Sequence, residues 1–365
     1  MDLLSLKHRK RSRGRKLLII NPDTYRTFIK PLLFRLPPET AQSVAHMALK
    51  QHQVWRAASS LLQVDDSRLE VDLAGMRLSN PVGLAAGYDK DCESLPALES
   101  IGFGYLTCGT VTEMPRAGNP APRVLRYERD DALVNSYGFP SKGVDYTERQ
   151  LREAQPLLKG TPVVASVSGV AADEILRCHL RLEPYASAIE INISSPNTLG
   201  LRIFQQPDTL RQLLGALNEQ RHKPLFIKLP PYIEMPSIGS EQRDMVLSLV
   251  DVCVEQGVEA VTIANTWPIR DSRLAVGAGG LSGKPVFADM VKMVSDIRAE
   301  AGSGLAINAC GGIFSGEDAL AAIQAGATTV QILTSLIYRG PGIVRRINRQ
   351  MLTQMDIEGM PALTY

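Results

Sequence analysis

Between residues 188 and 194 the chain alternates: Ile189, Ile191 and Ile193 fall on one side, Ala188, Glu190, Asn192 and Ser194 on the other. A two-residue period is that of a β-strand with one apolar and one polar face. Helices can cover the isoleucines. The polar face has to look into a polar interior or carry working groups, because Glu190 and Asn192 are costly to bury unpaired. The strand stops at Ser194-Ser195-Pro196-Asn197, a turn that proline fixes and asparagine favours. Similar runs of small or β-branched residues recur at 82–85, 105–109, 163–168, 225–229, 260–264, 306–309 and 329–333, with helical stretches between. Eight such strands predict an α/β fold of the (β/α)8 TIM-barrel type, whose working residues lie at the carboxyl ends of the strands. Residues 69–81 read as a hairpin turning at Ala74-Gly75, and Ser315 to Asp318 as the capped, acidic start of a helix. Two long insertions, 111–161 and 267–285, are placed to shape the barrel mouth.

Ahead of the barrel, apolar residues recur at helical spacing: Phe28, Leu32 and Leu33, then Ala41, Val44, Ala45, Met47 and Leu49. Pro37 and Pro38 divide the segment, which predicts a helical pair over 25–62, too small to bury a core of its own. It either docks on the barrel or offers an apolar face to lipid. The expected organisation is a basic tail over 1–24, this N-terminal helical extension over 25–62, and the barrel over 63–365.

Composition narrows the function. At 365 residues and 44% apolar content the chain can build one large barrel core. No run reaches the roughly 18 uncharged residues of a membrane span. Cys92, Cys108, Cys178, Cys253 and Cys310 lie far apart, as do the five histidines, so the expectation is a reduced compartment and no metal. The net charge of +2 hides an uneven spread, since 7–16 alone holds seven Lys and Arg and the remainder nets −5. No aromatic residue interleaves that run and no known module follows it, so nucleic-acid binding is not expected. A basic tail beside an anionic membrane surface fits better, at about 1 kcal/mol per well-placed charge. No cleavage site of a secretory signal follows it.

The candidate chemistry gathers at strand ends. GLAAG (83–87) lets a flat ring approach the backbone of the first strand, with Lys90 just beyond. Lys228 shares a strand face with Phe226, and a lysine in a buried strand needs an anionic partner; a salt bridge with Glu190 is the simpler reading. Backbone N–H groups of two Gly-rich stretches, 277–285 and 309–316, together with Thr334 after the eighth strand, fit the phosphate position of these barrels. No GxGxxG follows the first strand, which argues against a Rossmann nucleotide site. Asn135, Asn192, Asn197 and Asn265, with Thr266, offer donor and acceptor together and suit a flat ring bearing imide and carboxylate groups. Ser195 is the candidate base, although a hydroxyl needs help to pass its proton on.

These blocks together resemble the dihydroorotate dehydrogenases, flavin enzymes of pyrimidine synthesis, and within them the class 2, membrane-associated branch. The resemblance rests on NPVGLAAGYDK (80–90), GTVT (109–112), NSYGFPS (135–141), NISSPNT (192–198), IKLPP (227–231), ANT (264–266), GGLSGKP (279–285) and ACGG (309–312), in one order over nearly the whole chain. It implies non-covalent FMN and oxidation of dihydroorotate to orotate, with a membrane quinone as acceptor. It places Lys228 beside the flavin ring, with Ala86, Gly87, Thr110, Ser166, Asn192 and Ala264 around it. Ser282, Gly283, Gly311, Gly312, Leu333 and Thr334 complete the implied cofactor site. Lys90 would reach both flavin and substrate carboxylate, and Ser136, Tyr137, Gly138 and Phe139 would join the asparagines around the substrate. Ser195 marks class 2, where class 1 carries Cys, and Thr198 and Phe139 take the positions flanking its proton path.

The chain also departs from class 2. Pro140 stands where Asn is usual and ASVSG (165–169) replaces a VNxG-type strand, both closer to class 1. At the implied quinone site Arg126 is kept, but Gln42 stands where His is common and Leu333 where Tyr is common. The same half-reaction with a soluble acceptor, another cyclic imide as substrate, or a non-catalytic flavin-binding membrane scaffold are the alternatives. The expected location is peripheral, on the cytoplasmic side of the cell membrane. Oligomeric state is not legible.

Overall fold

The computed structural model describes residues 24–194, 199–232 and 240–363. A π-helical turn, Tyr25–Ile29, runs into α1 (Lys30–Arg35), followed by α2 (Pro38–Leu49) and α3 (His52–Leu62). The sequence reading expects a pair; the structure has a further break at Lys50-Gln51. Gln51 leaves helical geometry, which lets α3 swing across the helix Leu95–Ile101 and bury Ala58 and Leu62 in the main core. Pro37 holds Leu36 in the extended conformation that ends α1.

Next come the hairpin strands β1 (Val71–Leu73) and β2 (Met76–Leu78), then β3 (Val82–Leu84) and β4 (Tyr105–Val111). The first insertion supplies β5 (Val124–Tyr127) and β6 (Ala132–Asn135). β7 (Val163–Val167), β8 (Ala188–Asn192), β9 (Leu225–Lys228) and β10 (Ala260–Ile263) follow. The second insertion supplies β11 (Trp267–Arg270) and β12 (Ala278–Gly283), before β13 (Ala306–Cys310) and β14 (Thr329–Ile332).

The eight expected strands close a parallel barrel in chain order, β3-β4-β7-β8-β9-β10-β13-β14 and back to β3. The alternation places their faces as read: Ile189, Ile191 and Ile193 pack outward under the helices, while Ala188, Phe226 and Ala260 point inward. The β1–β2 hairpin turns at Ala74-Gly75, both at positive φ, and packs Val71, Leu73 and Leu78 against Tyr105 and Val164. Those are early residues of their strands, so the hairpin plugs the amino-terminal end of the barrel. Ser315 caps the helix Gly316–Gln324 by accepting from the Asp318 N–H.

At the opposite end the two insertions pair with each other. They form an antiparallel sheet, β11-β12-β6-β5, that the local pattern does not reveal because its central pairing joins residues nearly 150 positions apart. Long insertions after β4 and β10 thus become one wall over the barrel mouth.

Inside the barrel the polar faces satisfy one another in a directed line. A hydroxyl has one proton to give, and Thr329 gives its own to Asn308 Oδ1 (2.7 Å), so Tyr105 donates to Thr329 (2.8 Å). Asn308 Nδ2 donates to Thr262 Oγ1 (3.4 Å), which donates to Glu190 Oε2 (2.7 Å). Glu190 is fully buried, and its Oε1 has no hydrogen-bond partner among the described residues. Thr262→Val removes the only donor seen at Glu190 and is expected to destabilise the fold by about 1–3 kcal/mol, the size of an unsatisfied buried polar group. A urea unfolding curve checks this, and an unmoved midpoint contradicts it.

Candidate active site

The carboxyl ends of the barrel strands, the four-stranded wall and the N-terminal helices enclose a cavity of about 440 Å³. Its floor is Thr110, Asn192, Lys228, Cys310 and Gln331, the inward residues at the ends of β4, β8, β9, β13 and β14.

Asn192 is held from both sides of its amide. Nδ2 donates to Thr110 Oγ1 (2.9 Å), while Oδ1 accepts from the Ser194 N–H (3.1 Å) and hydroxyl (2.6 Å). Ser194 Oγ in turn accepts from Asn265 Nδ2 (2.8 Å), and Asn265 Oδ1 accepts from the Thr266 N–H (2.7 Å). Each of these amides keeps one N–H for a ligand. Ser194 was not among the expected site residues, yet it joins Asn192 to Asn265. Its place on the polar face of β8 and the turn beyond was the available signal. Gln331 was missed in the same way, since alternation along β14 puts it on the inward face with Thr329.

Lys90 sits where the expectation put it, past β3, with Nζ donating to Gly87 O (2.5 Å) and lying 4.2 Å from the centre of the Tyr137 ring. Burial pushes its ammonium down to about 8. Beside it, Asp89 is buried and pushed up to about 6 by the same loss of water, while accepting from the N–H groups of Glu93 and Ser94.

Lys228 decides between the two readings given above. It is 5 % exposed and faces the cavity, and among the described residues no carboxylate lies within ion-pair distance. Glu190 is committed to Thr262 instead. The salt bridge inside the barrel is therefore absent: Glu190 lies one inward position below Asn192, which is the residue opposite Lys228. A buried ammonium without a protein anion fits an anionic or electron-rich ligand group above it.

Of the expected cofactor positions, Ala86, Gly87, Thr110, Asn192, Lys228 and Ala264 line the cavity, as do Ser282, Gly283, Gly311, Gly312, Leu333 and Thr334. Ser166 does not. It is fully buried, sharing a hydrogen bond with the Thr110 hydroxyl (3.1 Å), because its strand partners are Gly109 and Glu190, one inward level below Asn192. Gly312 has φ +74°, and a Cβ there would lie 2.6 Å from Phe287 Cβ, so only glycine allows this turn to present its backbone to a ligand. Thr334 donates to Ser282 (2.9 Å), bringing the two Gly-rich stretches and the end of β14 to one place. The site thus fits a flat ring over Lys228 with a phosphate at the glycine turns.

Asn135, Ser136, Tyr137, Gly138, Phe139, Asn265 and Thr266 also line the cavity, with Gly138 and Phe139 both at positive φ. Ser195, Asn197 and Thr198 lie outside the described residues. Arg126 reaches the cavity while its Nη1 donates to Phe34 O (3.1 Å) and Leu36 O (2.8 Å), closing the end of α1. Gln42 lines it too, with its Oε1 accepting from the Tyr137 hydroxyl.

The sequence profile of the family described as dihydroorotate dehydrogenase matches residues 68–355. The chain belongs to the dihydroorotate dehydrogenase family. It is 36% identical over 362 residues to a dihydroorotate dehydrogenase (quinone) of Chloroflexus aurantiacus, covering 92% of this chain and 98% of that one. It is 37% identical over 344 residues to that of Methylococcus capsulatus, covering 89% and 98%. Among solved structures it is similar to the ligand-free dihydroorotate dehydrogenase of Eimeria tenella, with a TM-score of 0.77, 32% identity and 90% and 97% coverage. The same enzyme in complex with ferulenol gives 0.76, at 32% identity and with 88% and 93% coverage. As a dihydroorotate dehydrogenase the chain is flavin-dependent, and the unpaired Lys228 and the glycine turns are its fit to that cofactor.

Lys90 gives this site a pH signature. Its ammonium is present below about 8 and lost above it. Orotate, used as a carboxylate probe, is expected to bind with constant affinity below that pH and more weakly above it, by up to about tenfold per unit. Lys90→Met should bind weakly with no such limb. A wild-type affinity that stays flat to pH 9.5 contradicts the assignment.

Proposed function

We propose that this dihydroorotate dehydrogenase oxidises (S)-dihydroorotate to orotate, for pyrimidine synthesis, with bound FMN and a membrane quinone as final acceptor. The observation that carries the reading is the two-ended character of the cavity. One end is polar, built from Lys90, Asn135, Asn192, Lys228 and Asn265. The other is apolar, built from Ile29 and Leu33 ahead of and within α1, Ala41 and Ala45 of α2, and Leu336 and Ile337 beyond β14. Such a cavity suits a water-soluble imide acid at one end and a lipid-soluble acceptor at the other.

Bound flavin supplies the two-electron acceptor that the reaction needs and passes the electrons on. The protein's own groups do the rest. The Lys90 ammonium binds the substrate carboxylate, and the amides of Asn135, Asn192 and Asn265 hold the imide ring flat, with Asn197 as a fourth. Ser195 takes the C5 proton, with Thr198 and Phe139 flanking its path, while C6 gives up a hydride. The Lys228 ammonium would hold the flavin ring and supply positive charge to it. Gly311, Gly312, Ser282 and Thr334 would hold one terminal phosphate, which favours FMN over a dinucleotide. At the apolar end Arg126 offers a guanidinium, still fully charged, to a quinone oxygen.

The outer faces of α1 and α2, and the turn before them, support membrane docking. Phe28 and Leu32 are 62% exposed and Met47 68%, beside Val44. Among the described residues no helix is long and apolar enough to cross a membrane. An apolar face plus the basic run at 7–16, which lies outside the described residues, gives two weak signals, enough for peripheral binding at the cytoplasmic leaflet. α3 is different, because Ala58 and Leu62 belong to the barrel core. Deleting 1–62 would therefore cut into the fold, and substitution on the outer face is the cleaner test.

Ser195→Ala is expected to slow flavin reduction by dihydroorotate about 10²–10⁴-fold in anaerobic stopped flow, the usual range for a general base; a wild-type rate removes Ser195 from the mechanism. Phe28→Ser, Leu32→Ser and Met47→Ser combined should abolish liposome flotation and quinone turnover while leaving dihydroorotate-driven flavin reduction at the wild-type rate. Quinone turnover that survives intact points to a soluble acceptor instead.

A further inference from the structure

We propose that Gln42 is a positioning residue for the substrate side of the site: it anchors Tyr137 against Lys90 and so ties α2 to the lysine that receives the substrate. The inference rests on the reaction proposed above and moves Gln42 away from the quinone end.

Three contacts form the line. The Tyr137 hydroxyl donates to Gln42 Oε1, and among the described residues this is its only hydrogen bond. The Tyr137 ring lies under the Lys90 ammonium, 4.2 Å from Nζ to the ring centre, close enough for a cation–π attraction. The one hydrogen bond of Lys90 among the described residues is to Gly87 O. A lysine side chain has four rotatable bonds, so an ammonium with one carbonyl and one ring to hold it takes its position from both.

The backbone of the Tyr137 loop is fixed independently. Asn119 N–H donates to Tyr137 O and Asn119 Nδ2 to Ser136 O, both at 2.9 Å. What Gln42 controls is therefore the ring and not the loop. The ring has somewhere else to go, because a second, polar cavity of about 210 Å³ lies against it, lined by Glu39, Gln42, Ser43, Arg123 and the Lys90 side chain. Without the Gln42 acceptor the hydroxyl can turn toward water there and take the ring from the ammonium. α2 holds this wall by a second tie, the Glu39–Arg123 ion pair (2.7 Å), whose guanidinium lies 5.5 Å from the same ring.

The test uses the full chain with its flavin and measures KM for dihydroorotate and for a short-chain quinone separately. Gln42→Leu is expected to raise the dihydroorotate KM about fivefold, the value of one neutral hydrogen bond, with the quinone KM unchanged. Tyr137→Phe should do the same, the double variant should be no worse than either single one, and Gln42→Glu, which keeps the acceptor oxygen, should restore the wild-type value. A quinone KM that rises while the dihydroorotate KM stays fixed makes Gln42 a quinone contact and overturns the proposal. Both constants rising together, or single effects that multiply in the double variant, overturns it as well. A wild type that dihydroorotate does not reduce removes the reaction itself, a result separable from all of these.

Discussion

An ammonium group held inside a parallel barrel with, among the described residues, no carboxylate beside it is the constraint on which the site depends. Lys228 is almost wholly buried at the end of β9, and the nearest acidic strand residue, Glu190, is bonded one level lower to Thr262. A buried unpaired charge costs several kcal/mol unless a ligand supplies the missing partner. The cavity above Lys228 is shaped for that ligand: small residues at Ala85, Ala86 and Gly87 let a ring lie flat, and the glycine turns after β13 offer backbone donors at its far end. The interior hydrogen-bond line from Tyr105 to Glu190 matters for the same reason. It gives Glu190 a partner of its own, one level below Lys228.

The cavity has a polar and an apolar side because two different parts of the chain close it. The strand ends and the wall made by β5, β6, β11 and β12 bring ammonium and amide groups. The segment 25–49 brings an inner apolar face to the cavity and an outer one to the surroundings. Where these parts meet, Gln42, Glu39 and Lys50 of α2 and its edge bond to Tyr137, Arg123 and Glu93 of the barrel. α2 and the Tyr137 loop are therefore one hydrogen-bonded unit.

Most of the barrel was readable in the sequence because its strands announce themselves locally. Period-two alternation assigned the faces of β8 and β9 correctly, and the hairpin and the Ser315 cap followed from turn and cap chemistry. What was not readable is non-local. The pairing of the two insertions joins segments far apart in sequence, and the break before α3 is made by packing on a distant helix. No glycine or proline marks it. The Lys228–Glu190 pairing, the alternative to a cofactor role, is ruled out by geometry: two residues on inward faces of adjacent strands need not sit at the same height. Ser166 likewise lies at the level of Glu190, one step below the residues that line the cavity. Most residues that the resemblance names, Ser195, Asn197 and Thr198 outside the described residues apart, line the cavity, whereas the connecting groups Ser194 and Gln331 needed the alternation pattern to be followed one residue further.

The central claim, that this cavity passes electrons from dihydroorotate through its flavin, is tested most directly by mixing the purified protein with dihydroorotate in the absence of oxygen and following the flavin absorbance. The account predicts bleaching of the oxidised flavin band with formation of one orotate per flavin, and recovery of the band when quinone is added. A flavin that stays oxidised in the presence of excess dihydroorotate would contradict it.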